Sequence, residues 1–206
     1  MFKNKIISVI IIIIMSLAII LIAIGTIKII GVNKELSEGL KDVEEIFGST
    51  NDINEDNGNL NTTIENSEVD TSKAIGLITF KLKKEYKIAI YDNITEENLR
   101  KGAARATGSS KLNEIGNSVL YGHRDSAFRA LWDREIGDLV EVKTKSSKME
   151  YKVEKIYITT PDDTKIFNQD IESKDIKMTL VTCYPFIYSG PANKRCVVEM
   201  RKWGQS

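Results

Sequence analysis

Apolar positions are spread very unevenly along this chain. From Ile6 to Ile24 nearly every residue is Ile, Val, Leu, Ala or Met, with Ser8 and Ser16 the only polar interruptions. Nineteen residues at ~1.5 Å rise cover ~28 Å, close to the ~30 Å hydrocarbon core of a bilayer, and Thr26–Ile30 can supply the rest. A cleaved signal peptide is the competing reading. Its apolar run would be ~7–15 residues and would end at small residues, whereas this run is longer and has no Ala-x-Ala site. The expectation is therefore an uncleaved transmembrane anchor engaging the membrane through residues 6–30, within a first segment 1–32. Next, Asn33–Phe47 places Leu36, Leu40, Val43 and Phe47 at the spacing of one helical face, predicting a juxtamembrane helix. Gly48–Ser72 is Asn, Asp, Glu, Ser, Thr and Gly with isolated apolar residues. It has too little apolar surface to offset ordering entropy and reads as a flexible linker closing the segment 33–73.

Beyond residue 73 the period changes to that of strands. β-branched or alternating runs recur at Ala74–Phe80, Tyr86–Tyr91, Asn117–Tyr121, Leu139–Lys143, Met149–Thr160, Lys177–Cys183 and Arg195–Arg201. Thr95 followed by Glu96, Glu97 and Leu99 predicts a capped helical turn, and Ser126–Arg134 a second short helix. Seven or more strands with short loops predict an all-β domain with short helices, closed or nearly closed into a barrel, over residues 74–206. About 130 residues are enough to bury a core without disulfide staples.

Charge sharpens the division. Lysines and arginines total 29, as do aspartates and glutamates. Yet residues 1–32 hold three lysines and no acid, residues 33–73 hold 11 acids against three lysines, and residues 74–206 hold 23 bases against 18 acids. The neutral total is a cancellation among an anchor, an acidic tether and a mildly basic barrel. Lys3 and Lys5 precede the span, which suggests a cytoplasmic N-terminus with the globular part outside, although Lys28, Lys34 and Lys41 follow it closely. No Gly-rich phosphate loop is present, and the basic residues do not alternate with aromatics as on a single-strand-binding face, so no nucleic-acid partner is expected. With one His and two Cys, the common zinc sets are out of reach, and neither a metal nor a cofactor is expected.

The candidate chemistry lies at strand ends. Cys183 closes the apolar strand Met178–Cys183, and Pro185 turns the chain away from the ladder. A thiol of ordinary pKa is only ~3% thiolate at pH 7, so a nucleophilic Cys183 needs a positive neighbour. The commoner fate of a lone thiol is a buried core position. His123, the single histidine, follows the strand Asn117–Tyr121, with Gly122 permitting a tight turn; the plain alternative is a hydrogen-bonded loop histidine. Arg195 opens the last strand, where an ordinary surface ion pair is the alternative. If Arg195 faces a groove, strand parity turns Cys196 to the opposite face among Val197 and Val198. That makes Cys196 structural and Cys183 reactive. A Cys183–Cys196 disulfide is the rival, and the opposite-facing geometry argues against it.

These residues resemble a known family. Thr179-Leu180-Val181-Thr182-Cys183, with Arg195 twelve residues later and Gly122-His123-Arg124-Asp125 sixty residues earlier, is similar to the sortases over about Ala74 to Lys202, with Ile75–Ile78 as the usual first strand. The resemblance implies a closed eight-stranded β-barrel behind a transmembrane helix. It also implies a cysteine transpeptidase of Gram-positive bacteria that cuts an LPxTG-like sorting motif between Thr and Gly and joins the Thr carboxyl to an envelope amine, on peptidoglycan or a lipid-linked precursor. By the same resemblance Cys183 is the acyl-forming nucleophile and His123 the general acid/base. Arg195 stabilises the oxyanion or holds the substrate. Two other readings stay open: a tethered β-barrel binding module without catalysis, and a hydrolytic cysteine peptidase that uses water as acceptor.

Within the family the chain looks most like class D. The linker Gly48–Ser72 has no Pro and no Asp-Pro-aromatic lid, no second span follows Trp203, and Pro161–Ile176 is short, unlike the helix-bearing insertion of class B. Asp162, Asp163, Asp170, Glu172 and Asp175 invite a calcium reading, since some class A members bind calcium at this loop. Their spacing does not match a compact calcium loop, so an acidic surface loop is the expectation. Asp125 is left with two roles, orienting His123 or pairing with Arg124.

Overall fold

The computed structural model describes residues 2–48, 73–81, 85–167, 174–188 and 190–204. The predicted linker 48–72 thus lies almost wholly outside the described residues, as do Asp170 and Glu172. The chain divides after Glu35 into a unit of residues 1–35 and a unit of residues 36–206.

Helix α1 runs from Phe2 to Gly48 as one continuous element. Every large apolar side chain from Ile10 to Ile30 is exposed. A helix that is apolar all round and uncovered by protein has the surface a bilayer covers. Among the described residues this is the one helix long and apolar enough to cross a membrane.

The second unit is a closed barrel of eight strands in the order β1-β2-β3-β4-β7-β8-β6-β5. They are β1 (Ala74–Phe80), β2 (Tyr86–Asp92), β3 (Ala103–Arg105), β4 (Gly116–Tyr121), β5 (Leu139–Thr144), β6 (Lys148–Thr159), β7 (Ile176–Tyr184) and β8 (Lys194–Trp203). All seven runs seen in the sequence are strands. The eighth, β3, is a three-residue strand parallel to β2, too short to leave a periodic signal. Helix α2 (Glu96–Lys101) starts as expected, with the Thr95 side chain accepting from the Asn98 N–H at 3.1 Å. The region expected as a second helix is a 3-10 turn over Arg129–Asp133.

Inside the barrel, Ile78, Phe80, Ile90, Leu120, Phe128, Val142, Tyr151, Met178, Leu180, Cys196, Val198 and Met200 form one buried cluster. Eight strands leave an interior that side chains can fill, and these buried side chains occupy it. Two stretches of the outer surface are also covered. Val119, Val181 and Val197 pack with Ile166, which a 3-10 turn at Thr164–Phe167 lays across β4, β7 and β8. On β2, Ala89 and Tyr91 pack beneath Val43 of α1. The Tyr91 hydroxyl donates to Asp42 at 2.8 Å, and a Cβ on Gly39 would sit 2.3 Å from the Lys101 carbonyl oxygen. The C-terminal turns of α1 are therefore seated on the barrel wall, not merely attached to it by chain.

Candidate active site

Three adjacent strands, β4, β7 and β8, end at the same rim. In the antiparallel β7/β8 pair Cys183 lies directly opposite Arg195, and Thr182 opposite Cys196. Directly paired residues share a face and the face alternates along the strand. Cys183 and Arg195 thus belong to the outward face carrying Val181 and Val197, while Thr182 and Cys196 point into the barrel. Burial follows parity: Cys183 and Arg195 are partly exposed, whereas Cys196 is only 3% exposed. Both thiols are free. Burial pushes the Cys196 thiol up to about 11 and keeps it protonated at neutral pH.

His123 reaches this rim through the parallel β4/β7 pair, whose last register pair is Tyr121 with Val181. One residue on, the Gly122 N–H donates to the Val181 carbonyl at 3.2 Å, and the Thr182 hydroxyl donates to the Gly122 carbonyl at 2.7 Å. These two bonds tie the turn before His123 to the residue before Cys183. Gly122 is required for want of space: a Cβ there would lie 2.8 Å from the buried Phe128 ring. The sequence predicts a tight turn as its purpose, and the structure shows close approach as the cause. After the histidine the chain folds back, with the Phe128 N–H donating to the His123 carbonyl at 2.9 Å.

Arg195 uses Nη1 to hold its own loop, donating to the carbonyls of Ala192 at 3.1 Å and Lys194 at 3.0 Å. Its remaining nitrogens make no hydrogen bond among the described residues. Tyr121 stands close by. Burial raises its phenol pKa, opposed by the positive charge of Arg195, and its ring stacks on Phe167 at 6.4 Å.

The other threonine of the Thr179–Cys183 run has a separate task. Thr179 donates to Asn117 Oδ1 at 2.9 Å, and Asn117 Nδ2 donates to the Ile166 carbonyl at 3.1 Å. This relay fastens the turn that covers the outer valines. Asp125 is exposed and makes neither of its two expected contacts; Arg124 is engaged instead with the loop after β7. Of the acidic residues, Asp163 accepts from the Thr159 hydroxyl at 2.6 Å and the Lys165 N–H at 3.0 Å, which hold its carboxyl below the usual range. Asp175 pairs with Arg201 and Lys177. Among the described residues no three His, Cys, Asp or Glu side chains gather as a metal set.

A closed eight-stranded barrel thus carries a cysteine, a histidine and an arginine at one rim. The chain belongs to the sortase family: the family model described as Sortase domain matches residues 81–202. Sortases are cysteine transpeptidases, and this chain is one. It is 28% identical over 181 residues to Sortase D of Bacillus subtilis (strain 168), covering 84% of this chain and 87% of that protein. Among solved structures, a Clostridium perfringens Sortase D5 transpeptidase matches with a TM-score of 0.60 at 22% identity, over 84% of this chain and 98% of its own. A lid mutant of sortase A from Corynebacterium diphtheriae matches at 0.57 and 22% identity, over 65% and 72%. The resemblance to class D therefore rests on the sequence relative and its coverage, since barrels of different classes superpose about equally well.

Proposed function

We propose that this chain is a membrane-anchored transpeptidase that cleaves an LPxTG-like sorting motif after Thr and attaches the released carboxyl to a cell-wall amine. Residues 1–32 would anchor it with the N-terminus cytoplasmic, residues 33–73 would form the juxtamembrane helix and acidic linker, and residues 74–206 the extracellular catalytic domain. The observation that carries the reading is Cys183 opposite Arg195 on the outward face, with His123 fastened beside them through Gly122 and Thr182.

The chemistry follows from those positions. The Cys183 thiolate attacks the Thr carbonyl carbon, and the unengaged nitrogens of Arg195 meet the developing oxyanion. The C–N bond to Gly then breaks as protonated His123 donates to the departing amine, leaving a thioacyl enzyme. An acceptor amine attacks that carbonyl, His123 takes its proton, and the thiolate leaves. Cys183→Ala is expected to abolish cleavage of an LPxTG-like peptide with the fold retained, and wild type is expected to form the amide adduct when an amine is added. Retained cleavage in the variant would refute the nucleophile. Release of the free acid alone would mark a hydrolytic peptidase, and a protein that cleaves nothing and has no preferentially alkylated Cys183 would be a binding module.

A further inference from the structure

We propose that Arg124 is a positioning residue, which holds the β7–β8 loop against the His123 turn and so sets the substrate groove between them. This rests on the catalytic reading above for what the groove does, but the clamp itself is visible independently of it. Arg124 Nη1 donates to the Pro185 carbonyl at 3.1 Å, and Nη2 donates to the carbonyls of Tyr188 at 2.7 Å and Gly190 at 3.0 Å. Its guanidinium carbon also lies 5.6 Å from the Tyr188 ring centroid. One planar cation thus gathers three carbonyls that converge from one loop, an arrangement suited to the fixed fork of arginine and not to a lysine ammonium.

Beyond Phe186 the loop has few other reasons to stay in place. Pro185, Ile187, Tyr188, Gly190 and Pro191 are exposed, and no backbone–backbone hydrogen bond crosses the loop among the described residues. Its further attachments among the described residues are Phe186, which packs on the barrel cluster, stacks on Trp132 at 6.0 Å and meets the Tyr184 ring edge-on at 6.2 Å, and the bonds of Arg195 to Ala192 and Lys194. Arg124 follows His123 directly in sequence, and the loop it grips begins two residues after Cys183 and ends two before Arg195. A loop released from Arg124 would leave the thiol and imidazole bonded as before through Gly122 and Thr182, yet would lose one wall of the groove. The defect should therefore fall on substrate binding more than on the chemistry of the pair.

The test compares full-length wild type with Arg124→Ala, Arg124→Met and Arg124→Lys in detergent. Amide hydrogen exchange of residues 187, 188, 190, 192 and 193 is expected to quicken at least tenfold in Ala and Met, and by less in Lys. KM for an LPxTG-like peptide is expected to rise about tenfold in Ala and Met with kcat within about threefold, and the pH profile of Cys183 alkylation by iodoacetamide should not move. Unchanged exchange in the loop would overturn the proposal whatever the activity. A fall in kcat with a displaced alkylation profile would overturn it too, by showing that Arg124 acts on the charges of the pair. Wild-type protein that cleaves no such peptide would refute the function proposed above, and the exchange measurement would still decide the clamp.

Discussion

Placing a methyl group on Gly122 is the smallest perturbation that should disturb both the core and the site. In Gly122→Ala the new Cβ would lie 2.8, 2.9 and 3.1 Å from three carbons of the Phe128 ring. Comfortable carbon contacts begin near ~3.5 Å, so the ring or the strand end must move by about half an ångström or more. Phe128 is wholly buried and packed on all sides by the barrel cluster, so its ring cannot swing out to solvent. Overpacking of this kind costs about 1–3 kcal/mol. Against that, replacing glycine restricts the unfolded chain and returns about 0.4–1 kcal/mol where the backbone tolerates the change. The net expectation is a loss of about 1–2 kcal/mol, read as a lower urea midpoint by tryptophan fluorescence. Because Gly122 is bonded to Val181 and Thr182, the displacement should also reach His123, and kcat/KM should fall by about tenfold to a hundredfold.

A double-mutant cycle separates this steric account from any other. Phe128→Leu removes the ring atoms in question and alone should cost about 1–2 kcal/mol. With the ring gone the methyl fits, so the double variant should be more stable than the sum of the singles predicts by about 1 kcal/mol. Additivity within about 0.3 kcal/mol, or a Gly122→Ala protein as stable as wild type, would refute the reasoning.

Two other sites give opposite-sign or pH-dependent signals. In an unseated helix Gly39→Ala would stabilise by about 1 kcal/mol, but against the Lys101 carbonyl it should lower the midpoint of thermal unfolding of the full chain, and a rise would show that α1 does not bear on the barrel. Cys196→Ala should leave most cleavage intact. Because burial holds the folded Cys196 thiol at about 11, above its ordinary 9.0, the unfolded chain ionises first and wild-type stability should fall from pH 9 to 11. That loss should reach about 2–3 kcal/mol relative to Cys196→Ala, and parallel curves for the two proteins would refute the buried, protonated thiol.

The barrel was legible because strand periodicity is local, and so was the parity that separates the two cysteines. Alternation failed at Ile88–Tyr91, Val119–Leu120, Leu180–Val181 and Val197–Val198, where apolar residues run on without a polar partner. Those failures mark strands covered on both faces, by α1 over β2 and by the Ile166 turn over β4, β7 and β8. The face Leu36, Leu40, Val43 and Phe47 predicted a helix, but no spacing says where such a face will rest. Arg124 was equally opaque: the carbonyls it holds are 61, 64 and 66 residues away and carry no side-chain signature. Gly122 was visible as a glycine, but its cause lies in a ring packed from the next loop.

The same coverings explain why the three residues proposed as reactive sit where they do. A side chain at the filled centre of this barrel would be shut off from any peptide, as Cys196 is. On the outer face, mid-strand positions of β4, β7 and β8 are closed by Ile166, held there by Thr179 and Asn117. Residues at the ends of these strands are the first on that face to escape the cover, and Tyr121, stacked on Phe167, marks its edge. A parallel strand pair brings the end of β4 level with the end of β7, and an antiparallel pair brings the start of β8 to the same level. Chemistry that needs a thiol, an imidazole and a guanidinium on one solvent-facing rim is therefore confined to the residues just past Tyr121, at the end of β7 and at the start of β8. His123, Cys183 and Arg195 occupy those three places, and one step further along its strand the thiol would stand at Thr182 and the guanidinium at Cys196, both buried.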